Sequence, residues 1–141
     1  MIFLDKRPAK FIAVDFDGTL TVGNRFPNIG PANIPNIHVI EQIISMYKDR
    51  GYRPVLILWT CREDWPDDPN QHFLSDAVNW CNENVPFKFD YINENPECDF
   101  GRPQLVRKIV ADLYIDDKSL NPIGCNEEDC VWLKNMKRFL K

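Results

Sequence analysis

Phe11-Ile12-Ala13-Val14-Asp15-Phe16-Asp17-Gly18-Thr19-Leu20-Thr21 opens as an unbroken apolar run, then turns into two carboxylates one residue apart and a glycine. Apolar residues without alternation suit a strand covered on both faces, as in a parallel sheet. Val55 to Trp59 and Leu113 to Ile115 are runs of the same kind. Between the first two, Ile37, Ile40, Ile44 and Tyr47 recur at helical spacing. Asn36 reads as the N-cap of that helix, Lys48 and Arg50 fall in its last turn, and Gly51 is the stop. Phe73, Ala77, Trp80 and Cys81 form a second helical stripe, beginning near Asn70 and ending before Pro86. Lys88 to Ile92 alternates apolar and polar residues, which predicts an edge strand with one wetter face. A short helix is predicted from Leu105 to Ile109. The tail from Glu127 to Lys141 carries acids first and bases last, as a helix dipole favours. This order of strands and helices is that of an open doubly wound α/β domain, in which ligands bind at the carboxyl ends of the strands.

At 141 residues and 44% hydrophobic, the chain has enough apolar surface for one domain, 1–141, with its own core. The irregular stretches Thr21 to Pro35 and Asn93 to Pro103 are too short to fold as further domains. Met1 to Lys10 is charged where a leader would be apolar, and no stretch is long and apolar enough to span a bilayer. A cytoplasmic protein without membrane contact is therefore expected. Five cysteines, scattered and odd in number, argue for reduced thiols. A zinc site built from Cys98, Cys125 and Cys130 would lack both a CxxC pair and a nearby His. A net charge of -4 argues against an extended nucleic-acid surface.

The acids decide the chemistry. Asp15 and Asp17 end the first strand, and Asp116 and Asp117 end the last buried one. Carboxylates converging on one sheet edge repel one another unless a cation neutralises them, and an all-oxygen set suits Mg²⁺. Thr60, Cys61 and Arg62 follow the second strand and offer a hydroxyl, backbone amides and a guanidinium to phosphate oxygens. Lys108 or Arg107 can add a positive charge. Asp112 precedes its strand and reads as structural at the opposite edge; His38 and His72 begin helical segments and receive no role. Trp59, Trp80 and Trp132 read as core, and Trp65 as a rim residue.

The segment Asp15-Phe16-Asp17-Gly18-Thr19-Leu20-Thr21 resembles the first signature motif of the haloacid dehalogenase superfamily. Thr60 resembles its second motif, Lys108 its third and Ile115-Asp116-Asp117 its fourth, so the likeness covers nearly the whole chain. Trp59 to Arg62 and Asp112 to Asp117 are similar to segments of a small capless branch of hydrolases. The resemblance implies a three-layer, Rossmann-like fold with a central parallel sheet and no cap domain. It further implies a Mg²⁺-dependent phosphatase in which Asp15 is the nucleophile and Asp17 the general acid and base. Mg²⁺ would be held by Asp15, the Asp17 carbonyl and Asp117, with Asp116 adjacent. Thr60, Lys108 and the amides of Phe16 and Cys61 would gather phosphate oxygens, Thr19 would brace the loop, and Arg62 would be an added substrate contact.

The implied partner is a small phosphate ester or an exposed phosphate on a macromolecule, with a second subunit available to wall an open site. A phosphotransferase would differ only in the acceptor. A receiver-like module, or another non-catalytic phosphate-binding domain, uses similar residue types. In the receiver, however, the phosphorylated Asp stands on a middle strand after a first-strand acidic pair. Here the Asp-x-Asp-Gly-Thr unit comes first and the acidic pair last. No glycine-rich lysine motif is present for a P-loop kinase.

Overall fold

The computed structural model describes residues 6–94 and 111–116. They build a four-stranded parallel sheet of β1 (Ala9–Val14), β2 (Arg53–Leu58), β3 (Tyr91–Ile92) and β4 (Leu113–Ile115), with helices α1 (Ile34–Asp49) and α2 (Phe73–Asn84). The spatial order is β3-β2-β1-β4. From β1 the chain steps to β2 and then β3 in one direction, and right-handed crossovers then place α1 and α2 on the same face. β4 lies on the far side of β1, so the winding reverses between these two strands. That reversal is the topological switch point, where open α/β sheets leave a crevice.

Ile12, Val14, Leu56 and Leu58 point into one core with Ile37, Ile40, Ile43, Ile44 and Tyr47 of α1 and Ala77 and Cys81 of α2. Ala13 and Ile57 point the other way, among Phe11, Trp59, Tyr91 and Tyr114. The runs are continuous because both faces are covered; each fully buried Ile or Leu contributes about 1.5–3 kcal/mol.

α1 starts earlier than its periodicity predicts. Asn33, not Asn36, is the N-cap, and its side chain accepts from the Asn36 amide at 3.3 Å. Pro35 fits this start, because the first turn needs no amide hydrogen from it. Asn36 becomes a buried first-turn residue whose side-chain amide donates to the Thr19 carbonyl at 3.0 Å. The other end is as expected. Gly51 takes φ 86, its amide donates to the Lys48 carbonyl, and the Tyr52 amide donates to the Tyr47 carbonyl, a Schellman closure.

β3 is shorter than the predicted Lys88 to Ile92 edge strand because the Asp90 carboxylate, not a backbone carbonyl, takes the Leu56 amide at 2.9 Å. α2 begins at Phe73 rather than near Asn70. Asn70 belongs to a turn in which Asp68 accepts its amide at 2.9 Å. The predicted helices at 105–109 and 127–141, with Trp132, lie outside the described residues. No described helix is long and apolar enough to cross a membrane.

Candidate functional site

Val14 is in register with Leu58 on one side and Ile115 on the other. The next residues, Asp15, Trp59 and Asp116, therefore leave the sheet side by side at the switch point. A cavity of about 270 Å³ opens there, lined by Asp15, Asp17, Asn24, Trp59, Thr60, Cys61 and Asp116. Six of these positions follow from strand ends; Asn24 comes from the loop after β1. Trp59, expected in the core, is half-buried against Tyr114 and forms part of the cavity wall.

The turn carrying the acids is tightly tied. Gly18 adopts φ 82, a backbone state open to glycine, and its amide donates to the Thr21 hydroxyl at 3.2 Å. Amides of Thr19 and Leu20 both donate to the Phe16 carbonyl. Thr19 is fully buried, and its hydroxyl donates to Asp15 Oδ2 at 3.2 Å. Thr21 pairs with Ala32 in an antiparallel bridge, so the loop after β1 folds back on itself before entering α1.

Asp17 turns to a partner that sequence spacing does not show. Arg62 Nε donates to Asp17 Oδ2 and Arg62 Nη2 to Oδ1, each at 2.8 Å, a two-pronged pair. The guanidinium also donates to the carbonyls of Asn28 at 2.8 Å and Pro27 at 3.3 Å, and it stands over the rings of Phe16 and Phe26 at 5.2 and 5.1 Å. Arg62 is 1% exposed. The resemblance makes Arg62 an added substrate contact; its guanidinium is instead taken up by Asp17 and two loop carbonyls, and Arg62 does not line the cavity.

Thr60 stands at the cavity with its hydroxyl accepting from the Arg62 amide at 3.2 Å, while its own amide donates to Asn93 Oδ1 at 2.8 Å. Asn93 was not singled out from sequence. It holds a positive φ of 53 just past β3, a state that Asn tolerates better than most residues, and this is the signal that could have marked it. Phe16 is fully buried, so only its main chain could meet a ligand. Cys61 is exposed at the cavity. Trp65 is exposed but does not line the cavity. Asp112 lies at the opposite edge, accepting the Phe11 amide at 2.8 Å.

Arg107, Lys108 and Asp117 lie outside the described residues, as do Cys98, Cys125 and Cys130. Among the described residues no group of three or more His, Cys, Asp or Glu is gathered closely enough to hold a metal. Asp15 and Asp116 nonetheless share the cavity, and Mg²⁺ is commonly held by one or two carboxylates with waters, so this oxygen-only pair fits that ion.

No protein-family model matches the chain, and no curated protein does. The chain is similar to a solved structure of a conserved protein from Bacteroides thetaiotaomicron. The two are 29% identical over 93% of this chain and 92% of that one, with a TM-score of 0.60. That likeness supports the α/β architecture and names no activity.

Proposed function

We propose that this chain is a Mg²⁺-dependent phosphatase of the haloacid dehalogenase type, with the three-layer capless fold that its motifs resemble. The observation that carries this reading is the convergence of Asp15, Asp17, Thr60 and Asp116 on one cavity at the switch point. Asp15, steadied by Thr19, attacks phosphorus; a bond forms from its carboxylate oxygen, and the ester P–O bond breaks. Asp17 gives a proton to the departing oxygen. Water then attacks the aspartyl-phosphate, Asp17 takes its proton, and the Asp15 oxygen leaves as carboxylate while inorganic phosphate is released. The Thr60 hydroxyl and the loop amides hold equatorial oxygens as charge grows on them, and Lys108 takes the same role from the resemblance. Asp15, the Asp17 carbonyl and an acid at the end of β4 would hold Mg²⁺, which would supply positive charge to offset that of the carboxylates and the phosphate.

The Thr21–Ala32 bridge that folds back the loop after β1 supports a capless reading, in which the substrate is a small phosphate ester or a phosphate presented by a macromolecule. Hydrolysis of sugar phosphates, nucleotides and phosphopeptides, with and without Mg²⁺, tests the reading. Asp15→Asn is expected to keep the fold and lose turnover. Silence of the folded wild type across that panel, or substantial activity in the purified variant, would refute it.

A further inference from the structure

Arg62 has more partners than a surface arginine needs and none of the exposure that a substrate contact requires. Its guanidinium joins three pieces of chain: Asp17 after β1, the Pro27 and Asn28 carbonyls of the following loop, and its own position after β2. Phe16 and Phe26 flank it, which removes water that would weaken the pair. A buried ion pair costs desolvation on both sides, and removing one member strands the other. A Lys at this position would keep the charge but present a single point in place of the fork.

We infer that Arg62 is the positioning residue for Asp17, fixing its carboxylate in the plane and place from which it serves the reaction, and that it does not bind substrate. The inference rests on the phosphatase reading: as a carboxylate Asp17 takes the proton of the attacking water, and the proton it gives in the first half-reaction sits on an oxygen lone pair that Arg62 leaves open. Both Asp17 oxygens are engaged, so the carboxylate cannot swing about its side-chain torsions without breaking a donor contact. The same guanidinium fixes the loop that brings Asn24 to the cavity wall, so acid and wall move together or not at all.

The test is a double-mutant cycle on turnover of an aryl phosphate with Mg²⁺, in the full chain. Arg62→Lys is expected to lower kcat about 10- to 100-fold, as misplacement of a reacting group does, with KM changed less than about threefold. In an Asp17→Asn background the same substitution is expected to cost less than about twofold, because its route through Asp17 is already gone and only the loop contacts to Pro27 and Asn28 remain to be lost. Equal losses in the two backgrounds would show a general structural role and overturn the proposal. A rise in KM with kcat preserved would overturn it in favour of substrate contact. If Arg62→Lys does not fold, Arg62→Gln is put through the same cycle, with millimolar free guanidinium expected to restore part of kcat only where Asp17 is present. If the wild type turns over no ester, the phosphatase reading fails on its own. The pair is then judged by a thermal-unfolding cycle with the same variants: measurable coupling upholds Arg62 as the group that fixes Asp17, and additive losses overturn it.

Discussion

The Thr19 hydroxyl, with no exposed surface, donates to Asp15 Oδ2 at 3.2 Å from the far end of the same turn. This buried donor helps fix which way the carboxylate faces. Thr19→Val removes it with little change of shape. A hydrogen bond of this kind is worth about 1 kcal/mol, so kcat is expected to fall about fivefold to tenfold with the fold retained. Steady-state kinetics beside a melting curve checks this; unchanged kcat would mean that Asp15 holds its orientation by other means.

The proposed metal dependence rests on Asp15 and Asp116 lining one cavity. Chelation with EDTA is expected to abolish turnover and Mg²⁺ to restore it. Ca²⁺ should inhibit, since its larger radius and looser shell misplace the phosphate against Asp15. Equal rates in EDTA would remove the metal from the reaction.

Asp64 clasps the start of α2, accepting the Ser75 amide at 2.9 Å and the Ser75 hydroxyl at 2.5 Å. The hydroxyl first, then the amide, holds its carboxyl below the usual 3.8. A lowered value means that the clasp contributes fully above the unfolded-state pKa and fades as pH falls through the folded one. The Ser75 amide resonance should therefore titrate with a midpoint below 3.8, and Asp64→Asn should abolish that step. A midpoint above 3.8 contradicts the clasp.

Two cysteines should differ sharply in reactivity. Burial pushes the Cys81 thiol up to about 12, and it is 3% exposed in the core, whereas Cys61 is exposed at the cavity. The thiolate is the reacting form, so iodoacetamide at pH 8 is expected to label Cys61 while sparing Cys81 in the folded protein. Peptide mass spectrometry reads both. Phosphate should slow the Cys61 reaction if the cavity is the phosphate site; labelling of Cys81 at the same rate would contradict its burial.

The sheet was legible because its determinants are local. Phe11 to Val14 and Val55 to Leu58 are apolar on both faces, and Gly51 marks the end of α1 by a backbone state that suits glycine. The start of α1 was misread because Asn33 and Asn36 are the same residue type one turn apart, and Pro35 was the cue that separates them. The acidic edge was legible because a strand end carries its residue to a known place. Arg62 was not, since its partner lies 45 residues away across a loop whose path no periodicity encodes. β3 was overextended because nothing local says that the Asp90 side chain will replace a main-chain acceptor.

Arg62 holds the loop after β1 by the carbonyls of Pro27 and Asn28, not by their side chains. Every amino acid supplies a carbonyl, so the contact at Asn28 does not depend on that side chain. The wall of the cavity can then drift in sequence, or be diversified in a library, while its course past the acids stays the same. Under the proposed activity, variation at Asn24 thus offers a way to retune which phosphate ester is accepted while the acids keep their places.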